Sequence, residues 1–392
     1  MKFNQFSFKK LLPFLLALFF GLVPVTARAD AGPKAQISMP AGVIKKIDLI
    51  IKENKNASIA VGLIKNNKTL FYCLGNASPG IKADPDTIYS IGSLTKTFTS
   101  TAFIRIALLR NIPLIKPAFE LIKPLLNGIF SDPAFNSITF HHLLTHSSGL
   151  PRLADNFKPG DPYQPYEDYS EELLFSFFKK GALNSRPGEK YEYSNLGMGI
   201  LGLLCMYYMP SEESSFESIL KWAIFDPLNM HSTFINISKE SKTQNPAAHS
   251  VTAQGHYKGQ PVPSWNFTNC TAGCGAVKSN LKDMLRFIAF QMAAPNELSG
   301  PNLKKVPLFL ACAKSHKITD IKVAPGIYMG LGWHILKTDN PRKIIWHNGQ
   351  TYGFRSFAGF DKKTKTGVVI LSNESTADID SLGFAVLTNK EK

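Results

Sequence analysis

Strand-patterned sequence occupies both ends of this chain, and helix-patterned sequence occupies the middle. Residues 59–64 and 69–74 are apolar or β-prone runs joined by Lys65-Asn66-Asn67-Lys68, the pattern of a β-hairpin. Far along the chain, residues 329–336, 343–347, 355–360 and 368–371 again have strand character, with a turn at Asp361-Lys362-Lys363-Thr364. Two sets of strands, each with an apolar face to bury, are satisfied together when both ends of the chain build one sheet. The intervening pattern, from about 115 to 290, is mostly helical, with long loops at 151–170 and 235–270. The predicted class is therefore α+β: an antiparallel sheet from both termini flanked by helices, with an inserted, mainly helical lobe. The sheet lobe takes about 41–110 and 300–392, and the helical lobe about 111–299.

Periodicity places three helices. Val43, Ile44, Ile47, Ile50 and Ile51 recur at helical spacing over 41–54. Residues 94–109 are apolar nearly all round the wheel, which predicts a buried central helix. After Asn373 the chain ends in a helix. The Phe-rich stretch 173–178 reads as a helix face rather than a lipid-binding patch. With 44% hydrophobic residues, including 28 Phe, the chain can bury a large core, which excludes disorder for most of it. Five cysteines exclude a disulfide-dense scaffold.

The N-terminus reads as an export signal, residues 1–29. Lys2, Lys9 and Lys10 form a positive region, residues 11–25 an apolar one, and Ala27-Arg28-Ala29 the small-residue cleavage pattern. The mature protein, residues 30–392, is expected in the periplasm or secreted, after cleavage near Ala29; retention of the segment as an anchor is the alternative. These lysines and Arg28 contribute to a formal net charge of +15. The remaining lysines are scattered and no nucleic-acid motif accompanies them, so no nucleic-acid partner is expected. A basic surface does suit peripheral association with anionic envelope polymers or lipid head groups.

Several chemistries lack their signatures. G-x-S-x-G, H-E-x-x-H and C-x-x-C are absent. A literal G-x-G-x-x-G at Gly197 to Gly202 lies inside an apolar helical run rather than after a strand, so it predicts close helix packing. His141, His142 and His146 cluster on a predicted helix, His142 and His146 at i and i+4 as a possible metal pair, but no third ligand accompanies them, so no metal is expected, and no cofactor. Cys270 and Cys274 are either a disulfide or two free thiols, while Cys73, Cys205 and Cys312 read as core.

Ser93-Leu94-Thr95-Lys96 opens the buried helix, after a β-prone stretch and Gly92. Positions i and i+3 share a helix face, so the hydroxyl and the amine point the same way. A lysine can act as a serine's base only when its pKa falls, and burial achieves that. The alternative is a capping serine beside a solvated lysine. Two further motifs follow in order: Tyr193-Ser194-Asn195, and His347-Asn348-Gly349 ending a strand.

Ser-x-x-Lys, Tyr-x-Asn and basic-x-Gly in this order resemble the serine β-lactamase and penicillin-binding protein superfamily, in its class C branch with DD-peptidases and esterases. Residues 143–151, Phe225-Asp226-Pro227-Leu228-Asn229-Met230 and Gly330-Leu331-Gly332-Trp333 fit the same family, and the likeness runs from about 41 to 375. It implies a β-lactamase/transpeptidase-like fold, with Ser93 as acylated nucleophile and Lys96 as its base or electrostatic partner. Tyr193 would relay protons, its pKa lowered by Lys96. Asn195 would hold the substrate's amide. The N–H groups of Ser93 and Gln350 would form the oxyanion hole, Gln350 lying with Gly349 on an edge strand.

One position departs from the class C pattern. His347 stands where Lys is usual, while the literal Lys365-Thr366-Gly367 lies in a predicted turn. A histidine is neutral or partly charged at pH 7 and would hold a substrate carboxylate less firmly, gaining charge toward pH 5.5. Arg355 is the second candidate for that positive charge. The resemblance implies a penicillin-recognising hydrolase of the D-alanyl-D-alanine carboxypeptidase type acting on peptidoglycan peptides. A β-lactamase or carboxylesterase on the same scaffold, and a non-catalytic envelope-binding protein, are the alternatives.

Overall fold

The structure, a computed structural model, describes residues 37–128, 130–209, 215–235, 250–294, 307–338 and 341–388. The expected export signal, residues 1–29, lies outside the described residues. The strands in chain order are β1 Ser58–Lys65, β2 Lys68–Ser78, β3 Ile81–Lys82, β4 Tyr89–Ser90, β5 Phe234–Ile235, β6 Gly255–Tyr257, β7 Gln260–Val262 and β8 Val277–Ser279. They continue with β9 Lys322–Ala324, β10 Ile327–Met329, β11 His334–Lys337, β12 Lys343–Gln350, β13 Arg355–Asp361 and β14 Thr366–Ser372.

Nine of them form one antiparallel sheet in the order β3-β2-β1-β14-β13-β12-β11-β10-β9. The two ends of the chain meet where β1 pairs with β14, from Ile59 opposite Ser372 to Lys65 opposite Thr366. The predicted hairpin is β1–β2, turning on Asn66 and Asn67, both at positive φ. Asparagine tolerates that left-handed conformation, which two-residue hairpin turns require. Every residue of β14 is buried because both faces of the sheet are covered. Gly62 on β1 and Gly367 on β14 face the helix Leu281–Ala293, and Gly359 on β13 faces the terminal helix Ile379–Thr388. A strand packed on both faces reads as a continuous apolar run, as Gly367 to Leu371 does.

The buried central helix is Thr95–Arg110, entered through a 3-10 turn at Gly92–Leu94. Its many threonines are compatible with burial because each hydroxyl has a hydrogen-bond partner, Thr95 Oγ1 accepting from Val277 N at 3.1 Å. Thr97 donates to Leu94 O, Thr101 to Thr97 O, and Thr99 to Gly273 O at 2.7 Å. The glycines at 197–202 lie in the helix Asn195–Tyr208, which packs on the helix Asn269–Gly275. A Cβ on Gly199 would stand 2.2 Å from Cys270 O, so glycine is what permits the contact.

The structure corrects four local readings. The 329–336 strand is a hairpin, β10 and β11, folded back at Gly330 to Trp333 with Gly332 at φ +79°. The expected loop from 235 to 270 contains the small hairpin β6–β7 in its described part. β12 is not an edge strand, since β11 and β13 flank it; however, β11 pairs only as far as Trp346, so the segment from His347 to Gln350 is laddered on the β13 side alone. His142 and His146 do not share a helix. The helix Phe140–Leu144 ends first, and His146 lies beyond it at φ +54°. Cys270 and Cys274 are buried free thiols, one turn apart on a single helix.

Candidate active site

The chain takes a left-handed backbone conformation at Gly92, where φ is +50°. A Cβ there would lie 2.7 Å from Gln350 N, and one on Gly349 would lie 3.0 Å from Ser93 N. The two glycines thus let the start of the buried helix press against the end of β12, which brings the backbone nitrogens of Ser93 and Gln350 to one contact. The helix presents the positive end of its dipole at the same place.

Ser93 is half-buried, and its Oγ receives two hydrogen bonds. Lys96 Nζ donates at 2.9 Å and Tyr193 OH at 2.7 Å. Lys96 has no exposed surface and also donates to Cys274 O at 2.7 Å. Burial lowers its pKa to about 8, and the Arg152 guanidinium pushes the same way. Near neutral pH a useful fraction of this amine is unprotonated, which an exposed lysine cannot offer.

Tyr193 is held by its neighbours. Ser194 caps the helix Asn195–Tyr208 through Gly197 N at 2.8 Å, and Ser194 Oγ donates to Pro151 O. Asn195 N and Leu196 N both donate to Arg152 O, and Ser194 N donates to His146 Nδ1. Burial pushes the Tyr193 phenol up from its usual value, while the bond to Ser93 works the other way. This corrects the expectation of a lowered pKa: desolvation of a phenolate outweighs the Ser93 bond and the Arg152 charge, which favour it. Tyr193 is therefore a hydrogen-bond donor and not a resident base. Asn195 gives its Nδ2 to Tyr166 OH at 2.8 Å, and its buried Oδ1 has no partner.

A cleft of about 220 Å³ opens over Ser93. Gly92 and Ser93, Arg152, Asn195 and the segment from Gln350 to Tyr352 contribute to its lining, with Tyr166, Trp265 and Phe267 on one wall. Ser93, Lys96, Tyr193, Asn195, Gly349 and Gln350 are thus brought together. His347 and Arg355 are not in the lining.

His347 is 1% exposed. Its Nδ1 donates to Asn348 O at 2.6 Å, and its ring lies 5.0 Å from that of His334. Burial holds its pKa well below the usual histidine value, with the nearby His334 and Lys96 adding to the shift. The expectation that it gains charge by pH 5.5 is therefore overturned: the imidazole stays neutral beneath the site. Arg355 is paired with Asp380 at 3.0 Å and also donates to Gln350 Oε1. Its charge is already balanced.

Sequence reasoning missed Arg152, the aromatic wall and the buried His334, and it weighed His146 only as a metal ligand. His146 stacks against Tyr193 with ring centroids 4.5 Å apart, and His334, brought to about 4 by burial, meets Tyr191 OH at 3.2 Å. His146 and Arg152 fall in or next to the 143–151 segment and His334 directly follows Trp333, so proximity to family-like segments was the available signal. The aromatic wall comes from loops whose packing no local pattern encodes.

The beta-lactamase family profile matches residues 43–387. A beta-lactamase of Pseudomonas fluorescens is 24% identical over 84% of this chain and 92% of its own length. One from Escherichia coli strain K12 is 26% identical, covering 85% of this chain and 88% of that protein. Among solved structures, a beta-lactamase/D-alanine carboxypeptidase from Pseudomonas syringae superposes with a TM-score of 0.71 at 21% identity, over 90% of this chain and 99% of that one. A class C beta-lactamase matches equally well, with a TM-score of 0.71 and 21% identity over 90% of this chain and 96% of that one. The predicted α+β fold stands, and a profile match over nearly all the described residues establishes the relationship: the chain belongs to the beta-lactamase family.

Proposed function

We propose that this protein is an exported serine hydrolase that works through an acyl-enzyme, and that its substrates are peptides ending in D-alanyl-D-alanine. The observation that carries the reading is the shared contact of Lys96 and Tyr193 on Ser93 Oγ, at 2.9 and 2.7 Å, in a cleft beside two backbone N–H groups.

The chemistry follows from these atoms. With Lys96 unprotonated, Ser93 gives its hydroxyl proton to Nζ as Oγ attacks the carbonyl carbon. The oxygen that becomes negative is stabilised by Ser93 N–H and Gln350 N–H. When the C–N bond breaks, the proton held by Lys96 passes through Tyr193 OH to the leaving nitrogen. Water then attacks the ester, Lys96 takes its proton, and Ser93 Oγ is reprotonated as the acid departs. Asn195 Oδ1, buried and unpartnered, supports a role in accepting an N–H from the substrate.

A second reading, hydrolysis of esters, is favoured by the neutral His347 and by the aromatic wall of Tyr166, Trp265 and Phe267. One experiment separates the two. The purified protein is presented with a fluorescent penicillin, a chromogenic cephalosporin, a peptide ending in D-Ala-D-Ala and a short acyl ester. Covalent labelling of Ser93 and release of D-alanine are expected. Turnover of the ester with an inert peptide would move the assignment to esterase. Ester hydrolysis undiminished in Ser93→Ala would end the acyl-enzyme reading. Export, supported by the pattern of residues 1–29, is checked by N-terminal sequencing of the secreted chain, which should begin near Asp30.

A further inference from the structure

A carboxylate on the substrate needs a cation in the cleft, and the two residues expected to provide one do not. His347 is buried and neutral, and Arg355 is bound to Asp380. The lining of the cleft contains a single cationic side chain, Arg152. Among the described residues no carboxylate pairs with it, and it is exposed to solvent. Its guanidinium stands 5.1 Å from the centre of the Tyr193 ring, whose hydroxyl touches Ser93 Oγ. Its backbone is fixed as well, because Arg152 O accepts from Asn195 N and Leu196 N at the start of the helix Asn195–Tyr208.

We infer that Arg152 is the anion-recognising residue of this cleft and reads the free carboxylate of the acyl donor. The inference rests on the acyl-transfer reading above and adds to it the residue that reads the substrate's charge. Three features of the cleft agree on the same ligand chemistry. Arg152 offers paired N–H donors of the geometry a carboxylate accepts. Asn195 Oδ1 is buried without a donor and suits an amide N–H. The Tyr166 and Phe267 rings, stacked at 5.0 Å, offer an apolar wall for the body of the ligand. An N-acylated amino acid or peptide with a free C-terminus, or a β-lactam acid, carries all three complements. The charge of Arg152 also reaches the machinery itself, since it contributes to the lowered pKa of Lys96. A bound carboxylate would offset that charge and leave Lys96 a stronger base.

The test uses a matched pair of acyl donors, benzylpenicillin and its methyl ester, on the wild-type protein, Arg152→Gln and Arg152→Lys. The readout is the ratio of second-order acylation rates, acid over ester. A charge-assisted hydrogen bond predicts that Arg152→Gln lowers this ratio roughly tenfold to hundredfold and that Arg152→Lys recovers part of the loss. Raising the salt concentration should lower the ratio in the wild type and barely move it in Arg152→Gln. An unchanged ratio in Arg152→Gln, with both rates falling together, would overturn the inference and show that Arg152 acts by placing Tyr193. Binding of the same two compounds to Ser93→Ala gives an independent readout that needs no chemistry. If the wild type acylates with neither compound, the acyl-enzyme reading fails, while tighter binding of the acid that depends on Arg152 still upholds the recognition role. Equal binding of acid and ester would remove it.

Discussion

Lys96 sets two opposite pH dependences. Only the unprotonated amine can accept the Ser93 proton, so the acylation rate should rise with pH and reach half its plateau near pH 8. A stopped-flow series with a fluorescent penicillin checks this; a flat profile from pH 6 to 9 would remove Lys96 as the base. Stability moves with the same group. The folded pKa, about 8, lies below the unfolded lysine value of about 10.4, so the folded protein carries the full cost of the buried ammonium below pH 8 and loses it between those two values. Lys96→Met should therefore stabilise the fold at pH 7 by at most about 3 kcal/mol, and by only about 1 kcal/mol at pH 9.5, as read by urea unfolding. His347 illustrates what residue type alone conceals. Histidine at that position invites a charge-based role, but its ring lies among His334, His146 and Lys96 with no carboxylate among the groups acting on it. His347→Lys should destabilise by about 3 kcal/mol or more, because the new ammonium would be buried beside Lys96 without a counter-charge. Adding His334→Glu, on a ring 5.0 Å away, should restore much of the melting temperature. If His347→Lys alone melts like the wild type, the site is wetter than its burial implies.

At the level of elements, glycine distinguishes packing from propensity. Gly42 lies exposed in the helix Ala41–Glu53, and a Cβ there would meet nothing within 4 Å. Gly42→Ala should stabilise by about 0.5–1 kcal/mol, because alanine loses less backbone entropy in a helix. Gly199 is also helical, yet its Cβ would stand 2.2 Å from Cys270 O on the neighbouring helix. Gly199→Ala should destabilise by about 1–3 kcal/mol or more, since backbone must shift. That neighbouring helix holds Cys274 O, an acceptor for Lys96, so acylation should fall as well. Thermal melts and penicillin labelling of the two variants settle both points. A Gly199→Ala protein as stable and active as the wild type would mean that the two helices are free to separate. The sequence distinguished these elements well where a pattern was sustained, as in the β-prone runs of β1–β2 and the long apolar run of the buried helix. It merged β10 with β11, because a glycine turn inside an apolar stretch leaves the strand pattern unbroken on both sides.

For the whole molecule, β14 is the decisive element. It lies between β1 and β13 and ties the N-terminal hairpin to the C-terminal strands. A chain ending at Lys365 loses this strand and should show no cooperative urea transition, whereas the intact protein should unfold sharply; a truncated chain with native circular dichroism and a sharp transition would show that β1–β2 finds another partner. The sheet was legible because apolar runs must be covered wherever they occur, and runs at both ends can cover one another. The nucleophile and its base were legible because they lie three residues apart, Ser93 in the 3-10 turn that enters the helix and Lys96 in the helix's first turn, so local geometry alone aligns them. Tyr193 and Asn195 were reachable only through the order of the motifs. Charge in the cleft was not legible at all. His347, Arg355 and Arg152 are three basic residues in the sequence, and nothing local distinguishes a ring buried under the site, a guanidinium paired with Asp380 and one left facing the cleft. Burial and pairing are made by segments distant in the chain, and they alone determine which of these groups carries a free charge.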